Sequence, residues 1–302
     1  MPISDSRDLD LAQKRYLDRV IPGWASWRAR WSGGSAQVLE LGVGPPVLCI
    51  HGGLGEALQW APVMAALAPR HRILAVDRPG HGLSDPFDYR GVDLPTHASA
   101  FLTGVLDAAA VPSAAVVGAS MGGLFAFHLA VARPERVSRL AIVGVAAGMT
   151  RDLPRLLRYA TLPGLKQLVR AKMRKPTRED VRKFWAQLLV VHPERLADDF
   201  LDAATASQRR NTASWFTLLD RVIELGGCRR DLLIRELWPR LKTPTTLVWG
   251  EHDAWAPPSV GEEIAAVHRN VHVVRIPDAG HAAWIDAPER TSAAIAEAVA
   301  PL

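Results

Sequence analysis

The stretch Ala114-Ala115-Val116-Val117-Gly118-Ala119-Ser120-Met121-Gly122-Gly123-Leu124-Phe125-Ala126 decides the fold. Its first five residues are apolar or small on both faces of the pleat, which reads as a strand buried on both sides. Residues 121–132 read as a buried helix. Between the two sits Gly-x-Ser-x-Gly. By itself that pattern is weak, because a glycine-rich turn can simply pack a helix on a sheet. In this setting it puts a serine on a sharp strand-to-helix turn, with small residues two before and two after so that the chain can close. The hydroxyl would then stand at the C-terminal edge of a sheet.

Working outward, strands alternate with helices on both sides of this turn. Residues 36–41, 46–50, 72–76 and 136–143 read as strands, and 56–67 and 96–109 as helices. Further on, 245–250 and 271–276 read as strands, 260–267 and 289–299 as helices. Such alternation, with doubly apolar strands, predicts an α/β fold whose mostly parallel sheet is covered on both faces. The rhythm stops from about 146 to 241, where only helical patterns occur. Thr177-Arg178-Glu179-Asp180 reads as a capped helix start. Val181, Phe184, Trp185, Leu188 and Leu189 then form an apolar stripe, and 213–223 carries another with Trp215 and Phe216. The predicted division is an N-terminal extension over 1–35, a core over 36–145 and 242–302, and an all-helical insertion over 146–241. In the extension, residues 6–21 suggest an amphipathic helix with Leu9, Ala12, Tyr16 and Val20 on one side. Trp24, Trp27 and Trp31 fit a helix, but Trp27 and Trp31 would also share one face of a strand.

Composition narrows the class. The 302 residues, 48% hydrophobic and 22% charged, are ordinary for a globular chain long enough for one large domain and an insertion. Cys49 and Cys228 cannot build a disulfide framework and no Cys-x-x-Cys occurs, so a reducing, cytoplasmic setting is expected. The charged N-terminus has no apolar run behind it, so no signal peptide is expected. The apolar stretch 108–132 is interrupted by Pro112, Ser113, Gly118, Ser120, Gly122 and Gly123, which argues against a membrane span. The net charge of +5 is uneven, since residues 151–183 hold 11 Lys and Arg against 3 Asp and Glu. A solvated helical face is the expected explanation, and attraction for acidic substrates or a membrane surface is the sharper one. No nucleic-acid motif accompanies the charge, so the expected partner is a small-molecule substrate.

A serine hydroxyl is a poor nucleophile at neutral pH and needs a base beside it. The base in turn needs a carboxylate to fix its tautomer. In this architecture the chain order is Ser, then Asp or Glu, then His. Asp253 follows the strand ending at Gly250, and His281 follows the strand ending at Ile276. Both lie just beyond strand C-termini, where sites in open α/β sheets form. Glu251 and Asp278 are alternative acids, although Asp278 is too near His281 in the chain to come from the preceding strand's loop. His51 is expected to be a structural hydrogen-bonder and His81 a turn residue. No His-Glu-x-x-His or similar cluster occurs, so neither a metal nor another cofactor is expected.

At this point the chain resembles the α/β-hydrolase superfamily, in its cap-bearing esterase and haloperoxidase-like branch. Five motifs in family order carry the resemblance: His51-Gly52-Gly53-Leu54-Gly55, Asp77-Arg78-Pro79-Gly80-His81-Gly82-Leu83-Ser84-Asp85, the Ser120 turn, Gly250-x-x-Asp253 and Gly280-His281. It covers the chain from about residue 36 onward. It implies a triad of Ser120, Asp253 and His281, with an oxyanion hole at the N–H groups of Met121 and Gly53, Leu54 being the fallback donor. The insertion would be a helical cap. Leu54, Trp60, Trp255 and Trp284, near the triad loops, and Trp185, Trp215 and Phe216, in the insertion, are candidate pocket residues; core packing is the alternative for the aromatics.

The implied reaction is hydrolysis of a carboxylic ester of a small, largely apolar substrate through an acyl-enzyme. A serine at the turn speaks against haloalkane dehalogenases and epoxide hydrolases, which resemble this chain but carry aspartate there. Carbon–carbon bond hydrolases of ring-cleavage products resemble it at Ser120-Met121-Gly122-Gly123. They often show a tryptophan directly after the histidine, where this chain has Ala282. Acyl transfer to an acceptor other than water and perhydrolysis stay open. So does a slow-turnover ligand-binding protein on the same fold, which an intact triad disfavours.

Overall fold

The structure, a computed structural model, describes residues 3–154, 157–158, 162 and 164–300. Ten strands can be named: β1 (Ala25–Trp31), β2 (Gly34–Leu41), β3 (Pro46–Ile50), β4 (Arg72–Val76), β5 (Ala114–Ala119), β6 (Val137–Val143), β7 (Ile223–Glu224), β8 (Gly227–Cys228), β9 (Thr245–Gly250) and β10 (Val271–Ile276). Eight form one sheet in the order β1-β2-β4-β3-β5-β6-β9-β10. From β4 across to β10 every pairing is parallel, and the β1–β2 and β2–β4 pairs are antiparallel. Helices α2 (Ala61–Leu67), α3 (Leu94–Ala108), α4 (Met121–Ala132), α8 (Ser259–Val267), α9 (Ala283–Asp286) and α10 (Pro288–Val299) accompany the sheet.

The doubly apolar strands divide their side chains between two cores. Leu48, Ile50, Val116 and Ile142 join one buried cluster, while Val47, Cys49, Val117 and Ala141 join the other. This is the period-two alternation of a strand covered on both faces.

The sequence division left residues 1–35 outside the core, but β1 pairs along its whole length with β2. Trp27 and Trp31 share one face of β1 and pack on the core, the strand alternative rather than the helical one. The remainder of the extension is α1 (Ile3–Val20), which buries Leu9, Tyr16 and Leu17.

The segment between β6 and β9 carries α5 (Leu165–Met173), α6 (Arg178–Leu188) and α7 (Asp198–Val222). Thr177 caps α6 as expected, accepting from the Asp180 N–H at 3.1 Å while Asp180 accepts from the Thr177 N–H at 3.0 Å. Helix α1 grips α7 through Arg19–Asp199 at 2.7 Å and Tyr16 against Phe200. The segment is not wholly helical, because β7 and β8 make a hairpin around Gly226 (φ +87°). Two-residue strands are too short to show a period in sequence, which is why only helices were legible there.

Strand β3 lies between β4 and β5, and the chain leaves it toward β4 but leaves β5 toward β6. The C-terminal ends of β3 and β5 thus border the switch point at which open α/β sheets form their crevices. The loop 51–55 leaves one of these ends and Ser120 the other.

Candidate active site

Ser120 has φ 51° and ψ −113°, a conformation that costs a non-glycine residue about 1–3 kcal/mol. Neighbouring chain imposes it. The Ser120 N–H donates to Val143 O at 3.3 Å, and its carbonyl accepts from the N–H groups of Leu124 and Ala147, each at 3.2 Å. A β-carbon on Gly122 would stand 2.2 Å from Ile50 O, and one on Gly118 would stand 2.4 Å from Gly122 O. Small residues are therefore required at both flanks of the turn.

His281 and Asp253 meet across the ends of β10 and β9. The imidazole Nδ1 lies 3.0 and 2.9 Å from the two Asp253 oxygens. That carboxylate is fully buried and also accepts from the N–H groups of Val145 at 3.1 Å and Trp255 at 2.9 Å. With Nδ1–H committed to Asp253, Nε2 is the nitrogen left to accept a proton. The Trp255 ring stacks on His281 with centroids 5.2 Å apart. The alternative acids lie elsewhere: Glu251 is exposed, and Asp278 pairs with His192 at 2.8 Å.

Ser120 and His281 line one cavity of about 130 Å³, together with Gly52, Gly53, Leu54 and Met121. Among the described residues no hydrogen bond joins the Ser120 hydroxyl to His281; such pairs commonly tighten only once substrate is seated. The N–H groups of Gly53, Leu54 and Met121 likewise have no partner among the described residues. The loop carrying the first two comes close to the serine, since a β-carbon on Gly52 would stand 3.4 Å from Ser120 Cβ.

The walls are apolar. Leu54, Trp185, Trp215, Trp255 and Trp284 all line the cavity. Trp60 does not; it is fully buried behind Trp284, with ring centroids 5.1 Å apart, and belongs to the core. Phe216 packs tilted against Trp215 and under Arg170, and it is not among the lining residues. Sequence reading missed Val145, Ala146, Leu153, Leu157, Phe184, Leu219 and Val222 as wall residues. Their helical stripes announce burial but not which void they face.

Among the described lining residues Asp152 and His281 are the charged or readily charged groups, and no lysine or arginine is present. The basic stretch is largely ion-paired, and one of its pairs, Arg158–Asp152, reaches the cavity lining through Asp152. Arg151 pairs with Glu224, Arg158 with Asp152, Arg170 with Asp220, Arg178 and Arg182 with Asp198, and Lys183 with Glu179. It is largely an ion-paired outer face; Arg155 and the side chains of Lys166 and Lys172 lie outside the described residues.

One further residue was missed altogether. Asp286 is fully buried, and its carboxylate accepts from the N–H groups of Gly280 at 2.8 Å, Val191 at 3.0 Å and His192 at 2.9 Å. The Ala282 N–H donates to Leu189 O at 2.7 Å. These bonds tie the His281 loop to the chain after α6. The signal was available: a lone aspartate inside Ala282-Ala283-Trp284-Ile285-Asp286-Ala287 must be buried and so must be satisfied.

Comparison with known proteins agrees with this architecture. A family model described as alpha/beta hydrolase fold matches residues 45–288. The chain is 30% identical to a pimeloyl-[acyl-carrier protein] methyl ester esterase of Stenotrophomonas maltophilia, over 86% of this chain and 95% of that one. It is 28% identical to a 2-hydroxy-6-oxononadienedioate/2-hydroxy-6-oxononatrienedioate hydrolase of a Pseudomonas species, over 76% and 78%. Among solved structures, a carboxylesterase of Bacillus subtilis superposes with a TM-score of 0.79 over 98% of each chain at 17% identity. With a strained serine turn at the switch point and a family match that spans most of its length, the chain belongs to the α/β hydrolases.

Proposed function

We propose that the protein is a serine hydrolase that cleaves a carboxylic ester of a small, uncharged, largely apolar substrate. Ser120 attacks the ester carbonyl while His281 Nε2 takes its proton, and Asp253 steadies the imidazolium that forms. The oxyanion is received by the N–H groups of Gly53 and Met121, an arrangement typically worth ~3–4 kcal/mol per donor. His281 then protonates the leaving alcohol, and water activated by the same histidine releases the acid and frees Ser120.

The observation that carries this reading is the lining of the cavity. It joins Ser120, His281 and unpartnered N–H groups to apolar walls that carry no lysine or arginine among the described residues. Among the described lining residues no cation is placed to receive a doubly anionic ring-cleavage product, and Arg158 is already paired with the lining Asp152, so desolvating such a substrate would cost several kcal/mol. The methyl ester esterase is one of the relatives, which fits the same reading. The size of the cavity, about 130 Å³, suits a small acyl group, since a void of roughly 150 Å³ is filled by benzene.

The test is turnover of p-nitrophenyl esters of graded chain length by the wild type and by Ser120→Ala, with a serine-reactive phosphonate as mass tag. Turnover confined to the wild type, with the tag on Ser120 and a preference for acyl chains of up to about six carbons, is the expected result. A tag on Ser120 without ester turnover would favour carbon–carbon hydrolysis. Neither turnover nor tag would favour a binding protein.

A further inference from the structure

Arg78 is fully buried, yet no carboxylate comes within 4.0 Å of its guanidinium among the described residues. A buried charge with no ion-pair partner is costly, a cost that the neighbouring Asp77 and Tyr89 offset only in part. Its bonds go to the loop that follows β3. Nη2 donates to Gly52 O at 2.7 Å and Gly53 O at 3.1 Å, and Nε donates to His51 O at 3.2 Å. The Phe125 ring lies 5.3 Å below the guanidinium carbon. Two neutral imidazoles complete the brace. His51 Nδ1 donates to Gly52 O at 2.8 Å while its Nε2 accepts from the Arg78 N–H at 2.9 Å. His81 Nε2 lies 2.8 Å from Gly53 O.

Gly52 C=O and Gly53 N–H are the two ends of one peptide group, and Gly53 C=O and Leu54 N–H are the ends of the next. A cation bound to the oxygen end draws electron density from the nitrogen end and makes its N–H a stronger donor, because hydrogen bonds in a chain polarise one another. In a low-dielectric interior this effect is not screened. The carbonyl anchoring also fixes the planes of both peptides, so that the opposite N–H groups face the cavity.

We propose that Arg78 is a positioning residue of the oxyanion hole: by binding the carbonyl oxygens of Gly52 and Gly53 it orients and polarises the peptide N–H groups that receive the negative charge. This rests on the serine-hydrolase reading above. Burial draws the Arg78 pKa down, but only to about 10, so the group stays cationic at neutral pH.

The experiment compares two inhibitors that fill the same space. A trifluoromethyl ketone adds to Ser120 and places an oxyanion in the hole, whereas the matching trifluoromethyl carbinol binds without one. The ratio of their inhibition constants reports addition to Ser120 together with oxyanion binding and cancels the packing of the shared scaffold; a change confined to packing or stability would leave it unchanged, and an unaltered rate of phosphonate labelling at Ser120 shows that the nucleophile itself is intact. Arg78→Met is expected to lower this ratio about tenfold and to lower kcat in step with little change in KM, a weakening smaller than the loss of a whole donor. Arg78→Lys, with its charge kept but only a point contact, is expected to recover part of both. A wild type that does not prefer the ketone overturns the oxyanion-hole reading itself. A wild type that prefers it, with an unchanged ratio in a folded variant, overturns the role of Arg78 alone. Should Arg78→Met not fold, Arg78→Lys is judged on the same ratio; failure of both to fold assigns Arg78 to the fold and overturns the proposal.

Discussion

The two loops that flank Ser120 are held by opposite charges. The loop 51–55 is braced from the core by the buried cation of Arg78 and by His51 and His81, with burial first and Arg78 second holding His81 down at about 3. The loop 278–286 is braced by two buried carboxylates, Asp253 on the imidazole of His281 and Asp286 on backbone N–H groups. In the proposed reaction negative charge develops beside the first loop and positive charge on His281. Each side thus has, behind it, the sign of charge that its half of the transition state calls for. The loops differ in reach as well. The first is anchored from the turn after β4, through Arg78 and His81, whereas the second is anchored in part by the chain that leaves α6.

The largest test breaks the anionic side at the imidazole. Asp253→Asn keeps the shape but offers Nδ1 a poorer acceptor and invites the wrong tautomer. In serine hydrolases of this logic the cost is about 10⁴ in kcat. A drop of that size on the best p-nitrophenyl ester, with an unaltered circular dichroism spectrum, is the expected outcome. A drop of less than tenfold would remove Asp253 from the triad.

Next in size is Asp286→Ala. It strips the N–H groups of Gly280, Val191 and His192 of their acceptor in a buried setting. Each stranded donor costs about 1–3 kcal/mol, and partial relaxation leaves an expected loss of about 3–5 kcal/mol in unfolding free energy. Denaturant midpoints measure it. Activity should fall as well, because Gly280 precedes His281. Asp286→Asn, which keeps one accepting oxygen, should lose less. A loss under about 1 kcal/mol would mean that the second loop is anchored elsewhere.

Smaller again is Trp255→Phe. The substitution keeps an aromatic ring against His281 but removes the indole N–H that donates to Leu188 O at 2.9 Å. One neutral hydrogen bond is worth about 1 kcal/mol, so stability should fall by that much while kcat stays within about threefold. A fall of kcat beyond tenfold would show that this link to α6, and not the stacking, sets the imidazole.

The contrast also explains what could be read without coordinates. The core half writes itself into short motifs, because a strained turn and its close approaches admit few residues: Gly122 has no room for a β-carbon beside Ile50 O, and Asp77 accepts from the N–H groups of Ala57 and Leu83. Doubly buried strands such as β3 and β5 show as unbroken apolar runs. Chain order and the family resemblance together singled out Ser120, Asp253 and His281, and the structure brings Asp253 to His281 and sets His281 and Ser120 on one cavity. The half facing the insertion leaves no such mark. Its anchors are mostly backbone groups, Leu188 O, Leu189 O and the N–H of Val191, whose roles do not depend on side-chain identity. An apolar stripe reads the same whether it faces the core or the cavity, which is how Trp60 came to be grouped with Trp284 and how Leu153 and Leu219 were passed over. Strand β1 was obscured by Trp24, whose spacing with Trp27 and Trp31 also suits a helix.

The smallest expected effect concerns pH, and it separates the two sides most cleanly. His192, on the chain after α6, bonds Asp278 at 2.8 Å and Glu194 at 3.1 Å, and the Asp278 bond is the main cause of its raised pKa. A histidine whose pKa is higher folded than unfolded adds stability below its unfolded value of about 6.5, and that contribution is lost as pH rises through the folded value. The second loop should therefore loosen from its neighbour between mildly acidic and alkaline pH. The first should not, since burial keeps His51 and His81 neutral throughout that range. The gap in melting temperature between the wild type and His192→Gln should be measurable at pH 5.5 and close by pH 8.5. Amide exchange at Val191 and His192 should quicken over the same interval, after correction for the intrinsic pH dependence, while that of Gly55 does not. A melting gap that is constant across this interval would mean that His192 acts as a neutral hydrogen-bonder, and the two sides would then differ in charge but not in their response to pH.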